Sequence, residues 1–467
     1  MVFFTFLTTK QELYILFIKK QSNTTRSQAD LFVRMQSMAE LIVDLHIHSH
    51  YSRATSKDCN LEGLYRWGKI KGIAIIGTGD FTHPEWFAEL REKLEPAEKG
   101  LYKLKDSLAR EVDKLVPESV RANPIRFILT VEIATIYKKG DKVRKLHNLI
   151  IAPDFQAVSE INARLERIGN LKADGRPILG LDSKELLRIS MEANPDNLYV
   201  PAHIWTPWFG MFGSKSGFDS IQEAFEELSP QIRAIETGLS SDPYMNWRID
   251  ELQSVTILSN SDAHSPQKLG REASVINCDM NYDAIIGAIK TNDTRFVGTI
   301  EFYPAEGKYH YDGHRDCKVS FSPAQTREHN GICPVCHRPL TVGVDYRVSE
   351  LANKPEDYKP TTAKQVEYII PLVEIVAELK GVGSGSKAVV AEYQRIIASL
   401  GHEFEILRNV DVEVIKREGF EDLAYAITRM RRHDIHIEPG YDGVYGVITL
   451  FANNTERKKL GDQMTLI

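Results

Sequence analysis

The sequence predicts a βα barrel with its chemistry gathered on one rim, followed by a small metal-stapled module and a C-terminal α/β domain. Three observations carry that prediction. Short apolar or β-branched runs recur at IVDLHIHS, GIAIIGTGDF, RFILTVEIATIY, HNLIIAP, LYVPAHIW, RAIETGLS and VTILSNSDAH. Amphipathic stretches such as LEGLYRWGKIKG and FDSIQEAFEEL separate many of them, the alternation expected of βα units around a parallel sheet or barrel. Polar residues sit near the C-terminal end of the runs: His46 and His48, Asp80, Glu132, His203, and Asp262 with His264. In βα barrels that rim is where active sites are built. Seven such runs suit a closed or nearly closed barrel.

Composition bounds the function. A chain of 467 residues exceeds one ordinary core, so two or three domains are expected. Its 42% hydrophobic and 26% charged residues are those of a soluble globular protein. A net charge of -6 excludes a uniformly basic nucleic-acid binder while leaving room for local basic patches. Five cysteines, an odd number in so long a chain, fit a reducing, cytoplasmic setting better than a disulfide framework. Residues 1–37 read as a poorly specified, disordered extension, with Met35 and Met38 as alternative first residues. Their apolar runs are too short to span a bilayer, and their charge order is wrong for a signal peptide, so no membrane partner is expected.

The stretch LIVDLHIHSHYS places Asp44, His46, His48 and His50 at every second residue of an apolar run. Side chains two apart on a strand share a face, so His46 and His48 converge on one spot. Burying imidazoles with a carboxylate is costly unless something binds them. Imidazole and carboxylate together form the mixed donor set for zinc, manganese, iron or magnesium. With His83 of DFTH and His147 of HNLI added, the donors suffice for two or three ions. Clustered metals activate water and clamp both oxygens of a phosphoryl displacement.

The motifs DLHIHSHYS, GTGDFTH, the Glu of TVEIA, the His of HNLI, the His of PAHIW and NSDAH resemble those of the PHP (polymerase and histidinol phosphatase) superfamily. SRATSKD, GTGDFTHPEWF, EGKYHYDGH and GICPVCHRPLTVGV are similar to one branch of it, the endonuclease Q family. That resemblance runs from about Met38 almost to the C-terminus. It implies a distorted (β/α)7 barrel with a cluster of two or three divalent ions. It also implies nicking of DNA on the 5′ side of deaminated bases (uracil, hypoxanthine, xanthine) and abasic sites. Metal roles carry over to His46, His48, Asp80, His83, Glu132, His147, His203, Asp262 and His264. Asp262, His264 and Glu132 are the residues expected in the chemistry. Many superfamily members have Asp followed directly by His in the second motif, whereas this chain reads Asp80-Phe81-Thr82-His83, and Asp58 of SKD is a further candidate.

A second donor set is independent of the first. His314, Cys317, Cys333 and Cys336 give H-x2-C-x15-C-x2-C, the spacing of a structural zinc site, with His310 and His337 as rivals for the fourth place. Cys59 and Cys278 read as plain buried thiols. A module of residues 307–348 is too small to hold together without metal. Its Arg315 and Arg338 suit phosphate contacts. Trp208, Phe209, Met211 and Phe212 follow His203 in a Gly/Pro-rich loop, where Trp208, Phe209 and Phe212 are candidates to wedge a duplex or stack on an extruded base. KKGDKVRK adds a basic turn.

The expected domains are thus 1–37, a barrel over 38–306, the zinc module over 307–348, and 349–467. The last comprises a linker, a helical run VEYIIPLVEIVAEL, a Gly-rich turn KGVGSGSK, a small α/β domain and a tail. The tail residues Gln463, Met464, Leu466 and Ile467 resemble the peptide that docks in bacterial sliding clamps, so a clamp is an expected partner beside damaged DNA. A phosphatase acting on a small phosphorylated substrate is the alternative, and a metal-bound scaffold without activity a third. The phosphatase has no evident use for the zinc module, the C-terminal domain or the tail, and the full ligand set weighs against a scaffold that only binds DNA or protein.

Overall fold

The computed structural model describes residues 40–452; the N-terminal extension and the clamp-like Gln463, Met464, Leu466 and Ile467 lie outside the described residues. All seven predicted runs form strands. In chain order the strands are β1 (Leu41–Asp44), β2 (Ile75–Gly77), β3 (Leu94–Pro96), β4 (Tyr102–Leu104), β5 (Arg126–Lys139), β6 (Lys142–Ala152), β7 (Ile178–Leu179) and β8 (Leu198–Pro201). They continue with β9 (Ala234–Glu236), β10 (Thr256–Leu258), β11 (Ala273–Ile276), β12 (Phe296–Glu301), β13 (Asp312–His314), β14 (Val319–Phe321), β15 (Gln365–Tyr368), β16 (His436–Glu438) and β17 (Val447–Thr449).

A mixed sheet runs β15-β12-β11-β1-β2-β5-β4-β3, with β6 between β5 and β8. β9 and β10 form a separate parallel pair. Among the contacts that join that pair to the rest, Ile204 N donates to Glu236 O and Ile47 bridges Ala263. The rim residues therefore come together although no single ladder connects all their strands.

The longest departure from simple βα alternation is the antiparallel hairpin of β5 and β6, and β11 also runs antiparallel to both β1 and β12. β2 pairs with β5 only as far as Ile128, so the hairpin projects beyond the sheet. Glu132 and His147 consequently stand in mid-strand and still reach the rim. The basic turn at the hairpin tip is partly neutralised, since Lys139 pairs with Glu226 and Arg144 with Glu223.

Local chemistry accounts for the helices between strands. Asn60 caps helix Leu61–Lys71 by accepting from Gly63 N, and Gly72 ends it at φ 84°. Ser220 starts Ile221–Phe225, which tightens into a 3-10 turn carrying Pro230. No helix among the described residues is long and apolar enough to cross a membrane.

Beyond β12 the sequence expectation needs correction. VEYIIPLVEIVAEL is not one helical run: Gln365–Tyr368 joins the main sheet as β15, parallel to β12, and the helix begins at Leu372 after Pro371. Proline fixes the break, because the residue before it is pushed to extended backbone. Gly381 then closes that helix at φ 65°, and Ser386 caps Lys387–Leu400, so the Gly-rich turn serves as a cap between helices. The remainder is helical up to Arg431. PGYDGVYG folds back onto the segment of β13, where Tyr311 N donates to Gly440 O and Arg315 N to Asp442 Oδ2.

Glu301, at the end of β12, is fully buried and accepts from Ser259 Oγ at 2.5 Å. Burial pushes its carboxyl up to about 8, and burial together with Glu301 pushes Glu272 up as well. The unfolded chain releases this proton near pH ~4.3, whereas the fold retains it to higher pH. Stability therefore falls as pH rises from about 4 to about 8. Glu301→Gln is expected to flatten that fall in thermal melts across the same range, and an unchanged slope would contradict the assignment.

Candidate active site

His46 and His48 lie just past β1, in the extended segment tied down by the Ile47–Ala263 bridge. Their rings sit 5.4 Å apart. The outer two members of the same alternation are structural: Asp44 accepts from Ser261 N and Gly270 N, and the His50 backbone binds Cys59. Glu132 arrives from β5 and Asp262 from the loop after β10. One donor atom from each of His46, His48, Glu132 and Asp262 lies within 4.8 Å of the others. Glu132 belongs equally to a second group with His147 and His203. Its Oε1 is 2.6 Å from His147 Nδ1 and 2.9 Å from His203 Nε2.

These atoms fit a metal better than they fit one another. His48 Nε2 is 3.1 Å from Asp262 Oδ1 and 3.2 Å from Glu132 Oε2. Yet Nε2 of His46, Nε2 of His48 and Oδ1 of Asp262 are buried and make no aligned hydrogen bond. Orphaned buried polar atoms are costly and rare. Imidazole nitrogens and carboxylate oxygens aimed at one point are what a divalent cation satisfies.

The backbone is bent to serve this convergence. Asp80, His203 and Asp262 adopt positive φ of 51°, 28° and 47°. Such conformations cost on the order of 1–3 kcal/mol each and persist only where the surroundings impose them. Gly238, at φ 60°, backs His203 so closely that a Cβ there would lie 2.3 Å from the His203 Cβ.

Outer partners aim the ligand atoms. Glu236, fully buried, accepts from His46 Nδ1 at 2.9 Å, from His203 N at 2.9 Å and from Asn260 Nδ2 at 2.8 Å. Sequence reasoning placed RAIETGLS as a strand but passed over Glu236, the carboxylate at its end. Asp80 does the same for His48, with Oδ1 3.1 Å from Nδ1, while its Oδ2 accepts from Ser49 and Ser52. Glu236→Gln is expected to weaken metal binding roughly 10–100-fold with little change in the melting profile. A metal titration of both proteins checks it.

The electrostatics suit a cation. Burial favours neutral Asp262, but His46 and His48 outweigh it and hold the carboxyl far below its usual range. Burial likewise opposes ionised Glu132, yet the His147 hydrogen bond and the charges of Arg176 and His46 keep it ionised. Burial pulls His147 down to about 4, leaving a neutral ring with a lone pair to give.

The other predicted residues lie around this core. His83 is buried at the start of helix Pro84–Lys93, stacked on Tyr51 at 4.3 Å. His264 is half-buried, 4.5 Å from the His48 ring, with Nδ1 at the Asp262 carbonyl. Asp58 is exposed and in none of the donor groups among the described residues. Two arginines had no expected role. Arg176 Nη1 is 3.0 Å from Glu132 Oε2, and Arg271 binds the carbonyls of Ser261 and Asp262.

The aromatic loop divides. Trp208 is 45% exposed, and Phe209 lies against the His147 ring at 4.5 Å. Phe212 corrects the expectation: it is fully buried against Trp205 and has no face left for a base. Gly210 and Gly213 let the loop fold on itself, since a Cβ at either would meet backbone within 2.5 Å. Trp208 borders a cavity of about 560 Å³ with Arg271, Lys308, Tyr309 and Tyr445.

His314, Cys317, Cys333 and Cys336 also converge within 4.8 Å. His314 ends β13, which pairs with β14, and the Cys333 and Cys336 knuckle is closed by Cys333 N to Arg338 O. His310 and His337 are outside the group. Arg347 fastens the module to the aromatic loop through the Phe212 and Phe218 carbonyls. Arg315 and Arg338 stand on the same module. Cys59 and Cys278 are buried thiols, pushed up by burial to about 12 and about 11.

Residues 371–434 match the MJ0043 C-terminal domain family. The protein MJ0043 of Methanocaldococcus jannaschii is 32% identical over 280 residues, 57% of this chain. The chain spans only 34% of that relative's length. Crystal structures align over nearly all of the described fold. The lesion-specific endonuclease PfuEndoQ of Pyrococcus furiosus is 30% identical, with TM-score 0.76 over 89% of this chain and 96% of its own. An endonuclease Q bound to a 27-mer duplex with an abasic lesion at the active site is 31% identical, with TM-score 0.75 over 89% and 97%.

Proposed function

The chain belongs to the endonuclease Q family, and we propose that it is a metal-dependent DNA repair endonuclease acting on damaged duplexes. Its cut falls 5′ of a deaminated base (uracil, hypoxanthine or xanthine) or an abasic site. The observation that carries the reading is the pair of donor groups sharing Glu132. A cluster of two or three ions, zinc, manganese, iron or magnesium, fits His46, His48, Glu132, His147, His203 and Asp262. Asp80, His83 and His264 stand at its edge.

When bound, such ions supply Lewis acidity and an activated water for phosphodiester hydrolysis. The chain's own residues do the rest. Glu132 and Asp262 hold negative charge at the centre, and Glu236 and Asp80 fix the imidazoles. His264, half-buried beside Asp262, is placed to handle a proton at the mouth. Trp208 and Phe209 offer stacking faces at the rim, and the adjoining cavity has room for an extruded nucleotide. Arg315 and Arg338 of the module contact flanking phosphates.

One structural zinc on His314, Cys317, Cys333 and Cys336 completes the cofactors. The domain reading is a barrel over 38–306, the module over 307–348 and a C-terminal region over 349–467. The clamp is a further partner through the tail, and the unpaired cysteines suit a cytoplasmic location.

A phosphatase would share this centre, so one comparison separates the two. Manganese-loaded protein is offered a uracil duplex, the undamaged duplex and p-nitrophenyl phosphate. Cleavage confined to the uracil duplex is expected. Rapid hydrolysis of the monoester with the duplex intact would reassign the chain as a phosphatase.

A further inference from the structure

The geometry points to Arg176 as a phosphate-clamping residue of the active site, holding a non-bridging oxygen of the phosphodiester that is cut. This rests on the endonuclease reading and adds a residue to it. Arg176 Nη1 touches Glu132 Oε2 at 3.0 Å, and Glu132 is the one carboxylate common to both donor groups. Its side chain remains 29% exposed, and among the described residues no other hydrogen bond occupies the guanidinium. One tine of the fork is thus spent on the centre, and the part-exposed guanidinium keeps further donors for an anion. That is the arrangement in which arginine takes an anion with two parallel hydrogen bonds.

The loop that brings Arg176 is built for the purpose. Gly175 N donates to Tyr51 O, and a Cβ on Gly175 would meet Asp80 Oδ2 at 2.3 Å, so only glycine lets the loop approach this closely. Asp174 accepts from both Arg176 N and Arg53 N, clasping the loop to the segment after His48. Its carboxylate also pairs with Arg53 Nε at 3.2 Å. Arg176 is therefore fixed relative to His48 and Asp80 on one side and Glu132 on the other.

Charge supplies the remaining argument. A guanidinium stays protonated at any working pH, so Arg176 remains a cation beside Glu132. Any divalent cation held by Glu132 competes with Arg176 for the same carboxylate and repels it. A guanidinium keeps its place beside such a centre when an anion faces it. The anion of matching geometry is the phosphodiester itself.

The test compares wild type with Arg176→Gln and Arg176→Lys on a uracil duplex. Metal content is measured by elemental analysis, DNA affinity with calcium in place of manganese across a salt series, and turnover with manganese. The clamp predicts unchanged metal content, a log–log salt slope smaller by about one in Arg176→Gln, and turnover lower by on the order of 100-fold. Arg176→Lys keeps the slope and recovers part of the turnover; it carries the test should the Gln variant fail to fold. An unchanged slope in Arg176→Gln, or metal loss in step with activity, would overturn the clamp and leave Arg176 as a counter-charge for Glu132. A wild type that neither binds nor cuts the uracil duplex would instead remove the endonuclease reading, and the clamp with it.

Discussion

Glu132→Gln is expected to abolish cleavage of lesion duplexes and to lower the metal content of the barrel together. Glu132 is the only residue common to both donor groups, so one substitution weakens two sites at once. The amide keeps the shape but loses the charge that His147, Arg176 and His46 stabilise against burial. It also leaves His147 and His203, both within 2.9 Å of Oε1, without their shared carboxylate. The loss should exceed the roughly 10–100-fold that an outer partner costs. Elemental analysis and single-turnover cleavage on the same preparation check it. Full metal content with lost activity would mean that Glu132 acts on the substrate and holds no ion.

Cys333→Ser is expected to unfold the segment around β13, β14 and the knuckle of Cys333 and Cys336 while sparing the main sheet. The module's own core amounts to Val319, Cys333 and Leu340 with a few half-buried neighbours, far too little to offset the entropy of ordering it. Structural zinc binding is worth on the order of 10 kcal/mol, which is folding free energy for such a unit. Losing one ligand frees Arg347 from the aromatic loop and opens the cavity beside Trp208. The expected readings are loss of one zinc per chain, new protease cuts within 307–348, and weaker binding of lesion duplexes. An intact module with zinc gone would show that the loops carry themselves.

The residues explain how far the sequence reaches and where it stops. HxH at period two, and polar residues at strand ends, identified the group around His46 because strand geometry forces such side chains together. The H-x2-C-x15-C-x2-C spacing likewise singled out the four residues that converge, since short loops leave few other arrangements. Glu236 was within reach of the same rule, standing at a strand end, but it lacked a histidine neighbour to mark it. Arg176 had no pattern at all: it sits in a loop whose place is set by Gly175 fitting against Asp80. Phe212 misled because a loop rich in rings reads as exposed, and only the close self-contacts at Gly210 and Gly213 reveal that it folds inward. β15 was read as helix because its register comes from β12, distant in sequence.

The central claim is that the His46, His48, Glu132 and Asp262 group cuts damaged DNA. It is tested most directly with end-labelled duplexes bearing one abasic site or none, and with Asp262→Asn alongside wild type. The account predicts a single wild-type product ending 5′ of the lesion, no product from the undamaged duplex, and none from Asp262→Asn. Equal cleavage of the undamaged duplex, or an unimpaired Asp262→Asn, would contradict it.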